Sequence, residues 1–127
     1  MSSYVLDASA LLALLQQETG TDKVVAVLQD SAVSTVNWSE VIQKSLAYGI
    51  DTDAMQDEFE ALGVEIIPFT ISQAEVAAQL WQQTKVVGLS FGDRACLALA
   101  MEQQAIAVTA DKTWAQLTIG IGIHVIR

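Results

Sequence analysis

The chain has 127 residues, 52% hydrophobic and 17% charged, with a formal net charge of −9. That length supports one hydrophobic core and a single domain over 1–127. The charge balance excludes broad electrostatic binding of nucleic acid, and it allows a carboxylate cluster holding a cation or a basic partner. Charged residues fall below the roughly 25% of an average soluble domain, which leaves apolar surface for a partner or a second copy. Asp7 interrupts the apolar run over 5–15, well short of the roughly 18 uninterrupted residues of a membrane span, so no membrane is expected. No basic segment followed by an apolar one marks a secretory signal, and the expected location is the cytoplasm. The single cysteine, Cys96, has no partner for an internal disulfide and reads as a core residue.

In chain order, 4–6 reads as a short buried strand ending at Asp7, followed by helices over 9–17 and 21–29. A strand over 32–36 leads to a helix opened by Asn37 and Glu40 and stopped at Tyr48 by Gly49. A further helix over 51–62 is stopped by Gly63, and Pro68 marks the strand over 64–69 as an edge. Ser72 and Glu75 have capping-box form and open a helix to about residue 83, with a loop over 85–89 after it. Ser90, with Asp93 three residues on, then starts a helix over 90–102 that is apolar nearly all the way round. Such a helix is buried on all sides and belongs at the centre of the domain. A strand over 105–109, a short helix over 112–117 and a last strand over 123–126 complete the chain. Strands alternating with helices predict an α/β domain with a parallel sheet covered on both faces.

Four acids occupy equivalent places in this pattern. Asp7 ends the first strand, Asp111 follows the strand ending at Thr109, and Glu40 and Asp93 stand in the first turns of their helices. Strand C-termini and the helix N-termini after them share one edge of an open parallel sheet, where ligands bind. Two carboxylates about 4 Å apart repel by about 4 kcal/mol at an effective dielectric near 20. Several such pairs rival a domain's whole stability of roughly 5–15 kcal/mol, so they must take up protons or hold a cation. An oxygen-only set suits Mg²⁺ or Mn²⁺, which lowers the pKa of bound water and stabilises charge on a phosphate in transfer. Each acid also has a plain role as a helix cap: Glu40 with Asn37, Asp93 with Ser90, Asp111 before 112–117 and Asp7 before the leucine helix. Capping alone does not predict that all four lie on one edge. Arg94 stands where it can contact a phosphate or pair with a neighbouring acid.

Other chemistries lack their residues. His124 is the only histidine and lies in a terminal strand, which argues against histidine acid–base catalysis and zinc. There is no Gly-x-Ser-x-Gly elbow, and Gly120 and Gly122 do not extend into a phosphate-binding loop.

Asp7 within Val5-Leu6-Asp7-Ala8-Ser9-Ala10-Leu11, Glu40 opening a helix, Gly92-Asp93-Arg94 and Thr109-Ala110-Asp111 together resemble PIN-domain nucleases. Among these the chain resembles the VapC-type toxins of bacterial toxin–antitoxin pairs, over essentially its whole length. The resemblance implies a three-layer α/β/α fold around a mostly parallel sheet. It also implies Mg²⁺- or Mn²⁺-dependent endonucleolytic cleavage of RNA, leaving a 3′-hydroxyl and a 5′-phosphate, and inhibition by a cognate antitoxin. By motif, Asp7 and Asp93 are the direct metal ligands, and Glu40 and Asp111 complete the pocket directly or through water. Ser9 and Thr109 are the hydroxyl residues that orient water or the carboxylates. With a net charge of −9, RNA contact must be local or supplied by the groove of a homodimer.

Two apolar features suit a partner helix. The first is the surplus of leucines at 11, 12, 14 and 15. The second is a seam of Met55, Phe59 and Leu62 edged by Asp53, Asp57, Glu58 and Glu60. Such a partner could place an arginine among the pocket carboxylates. Three rival readings differ in chemistry. A haloacid-dehalogenase-type phosphatase needs a second aspartate where Ser9 stands. A phospho-acceptor signalling domain would use Asp7 as acceptor, and a binding module would keep the fold without turnover.

Overall fold

In the computed structural model, which describes residues 1–127, short runs of apolar and β-branched residues form five strands. They are β1 (Tyr4–Leu6), β2 (Ser31–Ser34), β3 (Glu65–Ile67), β4 (Ile106–Thr109) and β5 (Ile123–Val125). The helices are α1 (Ala8–Leu15), α2 (Thr21–Val27), α3 (Thr35–Ala47), α4 (Met55–Ala61), α5 (Ile71–Gln79), α6 (Trp81–Thr84) and α7 (Phe91–Gln103). Two 3-10 turns, Leu28–Asp30 and Lys112–Gln116, complete the set. The strand order is β3-β2-β1-β4-β5 and every pairing is parallel.

A parallel sheet is covered on both faces, so its strands are apolar on both sides. Alternate residues of the three inner strands do feed opposite cores. Leu6, Val33 and Val108 join Leu11, Val24 and Phe59 on one face. Val5, Ala32 and Ala107 join Leu97, Leu99 and Trp114 on the other. The result is a three-layer α/β/α domain with β1 in the middle. Helix α7 lies in the second core, with every residue from Ala95 to Ala100 buried, as its all-round apolar sequence requires. Pro68 follows β3, which is an edge strand.

Several boundaries differ from the sequence expectation. Strand β2 ends at Ser34, which itself caps α3 by accepting from Val36 N, so Asn37 lies inside the helix and forms no capping box with Glu40. Glu40 therefore stands in the second turn of α3. Likewise α5 starts under Thr70, whose hydroxyl accepts from Gln73 N, rather than under Ser72. Helix α4 begins only at Met55, and the expected helix over 21–29 ends in the 3-10 turn. The seam expected on α4 is not free. Met55 and Phe59 are buried in the domain's own core, and of the three only Leu62 is exposed.

Gly63 turns the chain from α4 into β3 with φ +98°, and a Cβ there would stand 2.8 Å from the Gln29 carbonyl oxygen. Gly63→Ala therefore meets strain and a backbone clash together. It should destabilise by more than about 1 kcal/mol, read as a lower urea midpoint with an unchanged slope.

Candidate active site

The C-terminal edge of the sheet is built around Asp7, which leaves β1 and caps α1. Its carboxylate is 3% exposed and fully engaged on one side: Oδ1 accepts from Ser9 Oγ at 2.7 Å and from Ala10 N at 2.8 Å. Oδ2 accepts from Thr109 Oγ1 at 2.5 Å, which joins the end of β1 to the end of β4. The two hydroxyls are positioned in turn by the chain after β4. Ala110 N donates to Ser9 Oγ at 2.9 Å, and Asp111 N donates to Thr109 Oγ1 at 3.0 Å. Ser9 and Thr109 thus orient the Asp7 carboxylate.

Asp93 sits in the first turn of α7 in a complete capping box. Its Oδ2 accepts from Ser90 N at 2.9 Å and its N–H donates to Ser90 Oγ at 3.2 Å, leaving Oδ1 without a protein donor. Asp111 caps the turn after β4, accepting at Oδ1 from Thr113 N and Thr113 Oγ1. Glu40 caps nothing. Its Oε2 meets Lys44 Nζ at 3.1 Å, and its Oε1 reaches back to Gly92, just ahead of Asp93. Asn37, one turn before Glu40, donates from Nδ2 to the Gly92 carbonyl at 2.9 Å. Arg94 points away from the acids: its guanidinium lies against Phe91 and donates to the Ala77 carbonyl of α5 at 2.8 Å.

The acids feel one another. Burial pushes the Asp7 carboxyl up to about 6; the bonds from Thr109, Ala10 and Ser9 oppose the rise, and the charge of Asp93 adds to it. Asp93 is raised chiefly by burial, against its bonds from Ser90, with Asp111 and Glu40 adding repulsion. All four sequence-expected acids are therefore coupled through Asp93. Cys96, one turn beyond Asp93, is buried beneath them. Burial, with the charges of Asp7 and Asp93, pushes its thiol well up, so it is an inert core residue. As the side chains stand, no three His, Cys, Asp or Glu groups are close enough together to hold one ion directly. The oxygens that remain open are Oδ1 of Asp93, Oδ2 of Asp111 and Oε1 of Glu40, beside the singly bonded Oδ2 of Asp7. An oxygen set of one or two carboxylates fits Mg²⁺ or Mn²⁺, which keep several waters. The sequence marks Asn37 only as a cap and gives Gly92 no role, whereas in the fold the Asn37 amide bonds the Gly92 carbonyl. The available signal was a glycine in the first turn of a helix, where it is otherwise unfavourable by up to about 1 kcal/mol.

The model of the PIN-domain family matches residues 4–119, and the chain belongs to that family. Comparison with curated protein sequences finds no match. Among solved structures, a toxin–antitoxin complex from Klebsiella pneumoniae matches with a TM-score of 0.71 at 23% identity, covering 89% of this chain and 91% of that one. FitAcB from Neisseria gonorrhoeae matches with 0.69 at 19% identity, over 95% and 96% of the two chains. DNA-bound VapBC from Salmonella typhimurium matches with 0.67 at 14% identity, over 100% of each. At these identities the likeness is one of fold.

The raised Asp7 carboxyl has a consequence for stability. A carboxyl whose folded value lies above its unfolded 3.8 favours the native state while protonated, and that contribution is lost as pH rises from about 4 through about 6. The loss is about 3 kcal/mol at about 1.4 kcal/mol per pH unit. Metal-free protein should become less stable across this window. Asp7→Asn, which can still accept from Ala10 N, should flatten the dependence and be the more stable protein at pH 7. Urea unfolding at stepped pH in chelator measures both.

Proposed function

We propose that the chain is the toxin of a toxin–antitoxin pair, a divalent-metal-dependent endoribonuclease of the VapC type held inactive by a cognate antitoxin. The observation that carries this reading is the placement of Asp7 and Asp111 at the ends of β1 and β4, with Asp93 in the first turn of α7 and Glu40 Oε1 beside Gly92; burial first, and neighbouring charge second, raises Asp7 and Asp93. Such an arrangement opposes its own charge and favours a cation. Membership of the PIN family and the likeness in fold to the toxin–antitoxin complex from Klebsiella pneumoniae and to VapBC from Salmonella typhimurium support the same reading. Asp7 and Asp93 would hold Mg²⁺ or Mn²⁺, with Glu40 and Asp111 reaching it directly or through water. When bound, the ion supplies an activated water and offsets charge developing on the phosphate.

The chain's own residues do the positioning. Ser9 and Thr109 fix both oxygens of Asp7. The capping box fixes Asp93 on the rigid end of α7, so that its free oxygen faces the site with little motion to lose. Substrate contact is local. A groove of about 400 Å³ is lined by Ser9, Gln16, Glu18, Lys44, Tyr48 and Arg127 among others, and so starts at the hydroxyl that bonds Asp7 and carries two of the chain's six cations. Their pairs with Glu40 and Glu18 are exposed, and such pairs contribute about 0–1 kcal/mol, so a phosphate can displace them. The partner surfaces are apolar: Leu46 and Tyr48 at the end of α3, and Ile71 and Phe91 at the starts of α5 and α7, all half or more exposed. They suit the antitoxin and a second copy in a homodimer. No helix is long and apolar enough to cross a membrane.

Purified protein incubated with total RNA should cleave it with Mg²⁺ or Mn²⁺ and stop with chelator, leaving 5′-phosphate ends. Asp93→Asn should abolish cleavage, while its metal-free melting temperature stays level or rises. Normal cleavage by that variant would end the assignment. In a titration, either ion should raise wild-type stability by about 2.7 kcal/mol at a hundredfold excess over its dissociation constant, with no effect of matched Na⁺. Co-expression with the short open reading frame beside the gene should yield a complex without RNase activity. Arg127→Ala should raise KM several-fold and leave kcat and Mn²⁺ binding unchanged.

A further inference from the structure

The side chain of Asn37 is costly where it stands. It is 1% exposed, its Nδ2 donates to the Gly92 carbonyl at 2.9 Å, and its Oδ1 is buried without a partner. An unpaired buried acceptor destabilises the fold, and a helix interior gives asparagine no compensating preference. Turning the amide over gives no relief, because Oδ1 would then face the Gly92 carbonyl, acceptor against acceptor. What the residue does achieve is one bond between α3 and the first turn of α7.

Gly92 completes that contact. A Cβ built there would stand 3.2 Å from Glu40 Oε1, 3.7 Å from Asn37 Nδ2 and 3.8 Å from Ser90 Oγ. The amide of Asn37 and the hydroxyl of Ser90 would meet that Cβ at ordinary contact distance, and the Glu40 carboxylate alone would have to shift, by a few tenths of an ångström. Asn37 precedes Glu40 by one helical turn, and Gly92 precedes Asp93 by one residue. The contact therefore lies between the two acids that approach from different helices.

We propose that Asn37 and Gly92 form a spacing clamp, in which the amide ties α3 to α7 and the missing side chain lets them close, so setting where Glu40 stands relative to Asp93. The clamp rests on the reading of the acids as a divalent-cation site. Asn37 and Gly92 are positioning residues and hold no ion themselves. The amide's unpaired oxygen is tolerated because its nitrogen fixes the separation of two like charges that a cation must bridge.

The test compares Mn²⁺ affinity, read from the electron paramagnetic resonance of free Mn²⁺, with melting temperature in chelator. Gly92→Ala is the variant safe for folding, since alanine is the better helix former. A purely structural role predicts a level or higher melting temperature with unchanged Mn²⁺ affinity. The clamp predicts the same melting behaviour with affinity weakened about tenfold or more, the usual effect of losing a supporting contact. Asn37→Ala should weaken binding similarly, yet add nothing in a Glu40→Gln background, because the acid it places is already gone. Wild-type affinity in both single variants, or a full further loss from Asn37→Ala on top of Glu40→Gln, overturns the clamp. Loss of binding in Asp93→Asn, measured alongside, identifies the site, so that a failed clamp is told apart from a failed metal site. If wild-type protein binds no Mn²⁺, the metal reading falls and the clamp falls with it.

Discussion

The bonds made to the Asp7 carboxylate hold the functional edge of this domain together. Ala10 N, Ser9 Oγ and Thr109 Oγ1 converge on it from the helix it caps and from a strand about a hundred residues away in sequence. The same two hydroxyls accept from the backbone after β4, so the segment leading to Asp111 is placed by the group that Asp7 placed. Three donors offset much of the penalty of burying a charge, but the carboxyl still rises to about 6. The net term is unfavourable for an ionised, metal-free protein, and the two apolar cores on either face of the sheet carry it.

Capping and catalysis are often set against each other as explanations for an acid at a helix start. Here they coincide. Asp7 and Asp111 cap the helix or turn that follows them, Asp93 completes the capping box of α7 from its first turn, and each such bond orients the carboxylate. In a parallel sheet the strand ends share one edge, which brings Asp7 after β1 beside the segment of Asp111 after β4; α7 follows α6, and packing brings its first turn and Asp93 to the same acids. Glu40 is the exception. It caps nothing, lies in the second turn of α3, pairs with Lys44 and brings its other oxygen beside Gly92 of α7.

The position of Arg94 illustrates how a motif and a geometry can part company. It adjoins Asp93 in sequence, yet a helix turns successive side chains by about 100°, and its guanidinium lies against α5 instead. Its bond to the Ala77 carbonyl braces α7 from behind, on the side away from the acids.

What the sequence by itself determined follows from local or periodic signals. The alternation of strand and helix, the all-round apolar character of α7, the edge position marked by Pro68 and the places of Asp7, Asp93 and Asp111 at or near element starts were all legible. Each depends only on residues a few positions apart. Element starts with two competing caps were not legible. Ser34 and Asn37 can both begin α3, and the choice falls to Ser34 because β2 pairs with β3 only as far as Ser34 opposite Ile67. The apolar seam of α4 looked free for a partner, and only the sheet beneath it decided that Met55 and Phe59 face inward. The contact of Asn37 and Glu40 with Gly92 lies beyond any reading of the chain in order, because it joins residues more than fifty positions apart. Tertiary packing decides such contacts, since the distance between two helices depends on every side chain that fills the space between them.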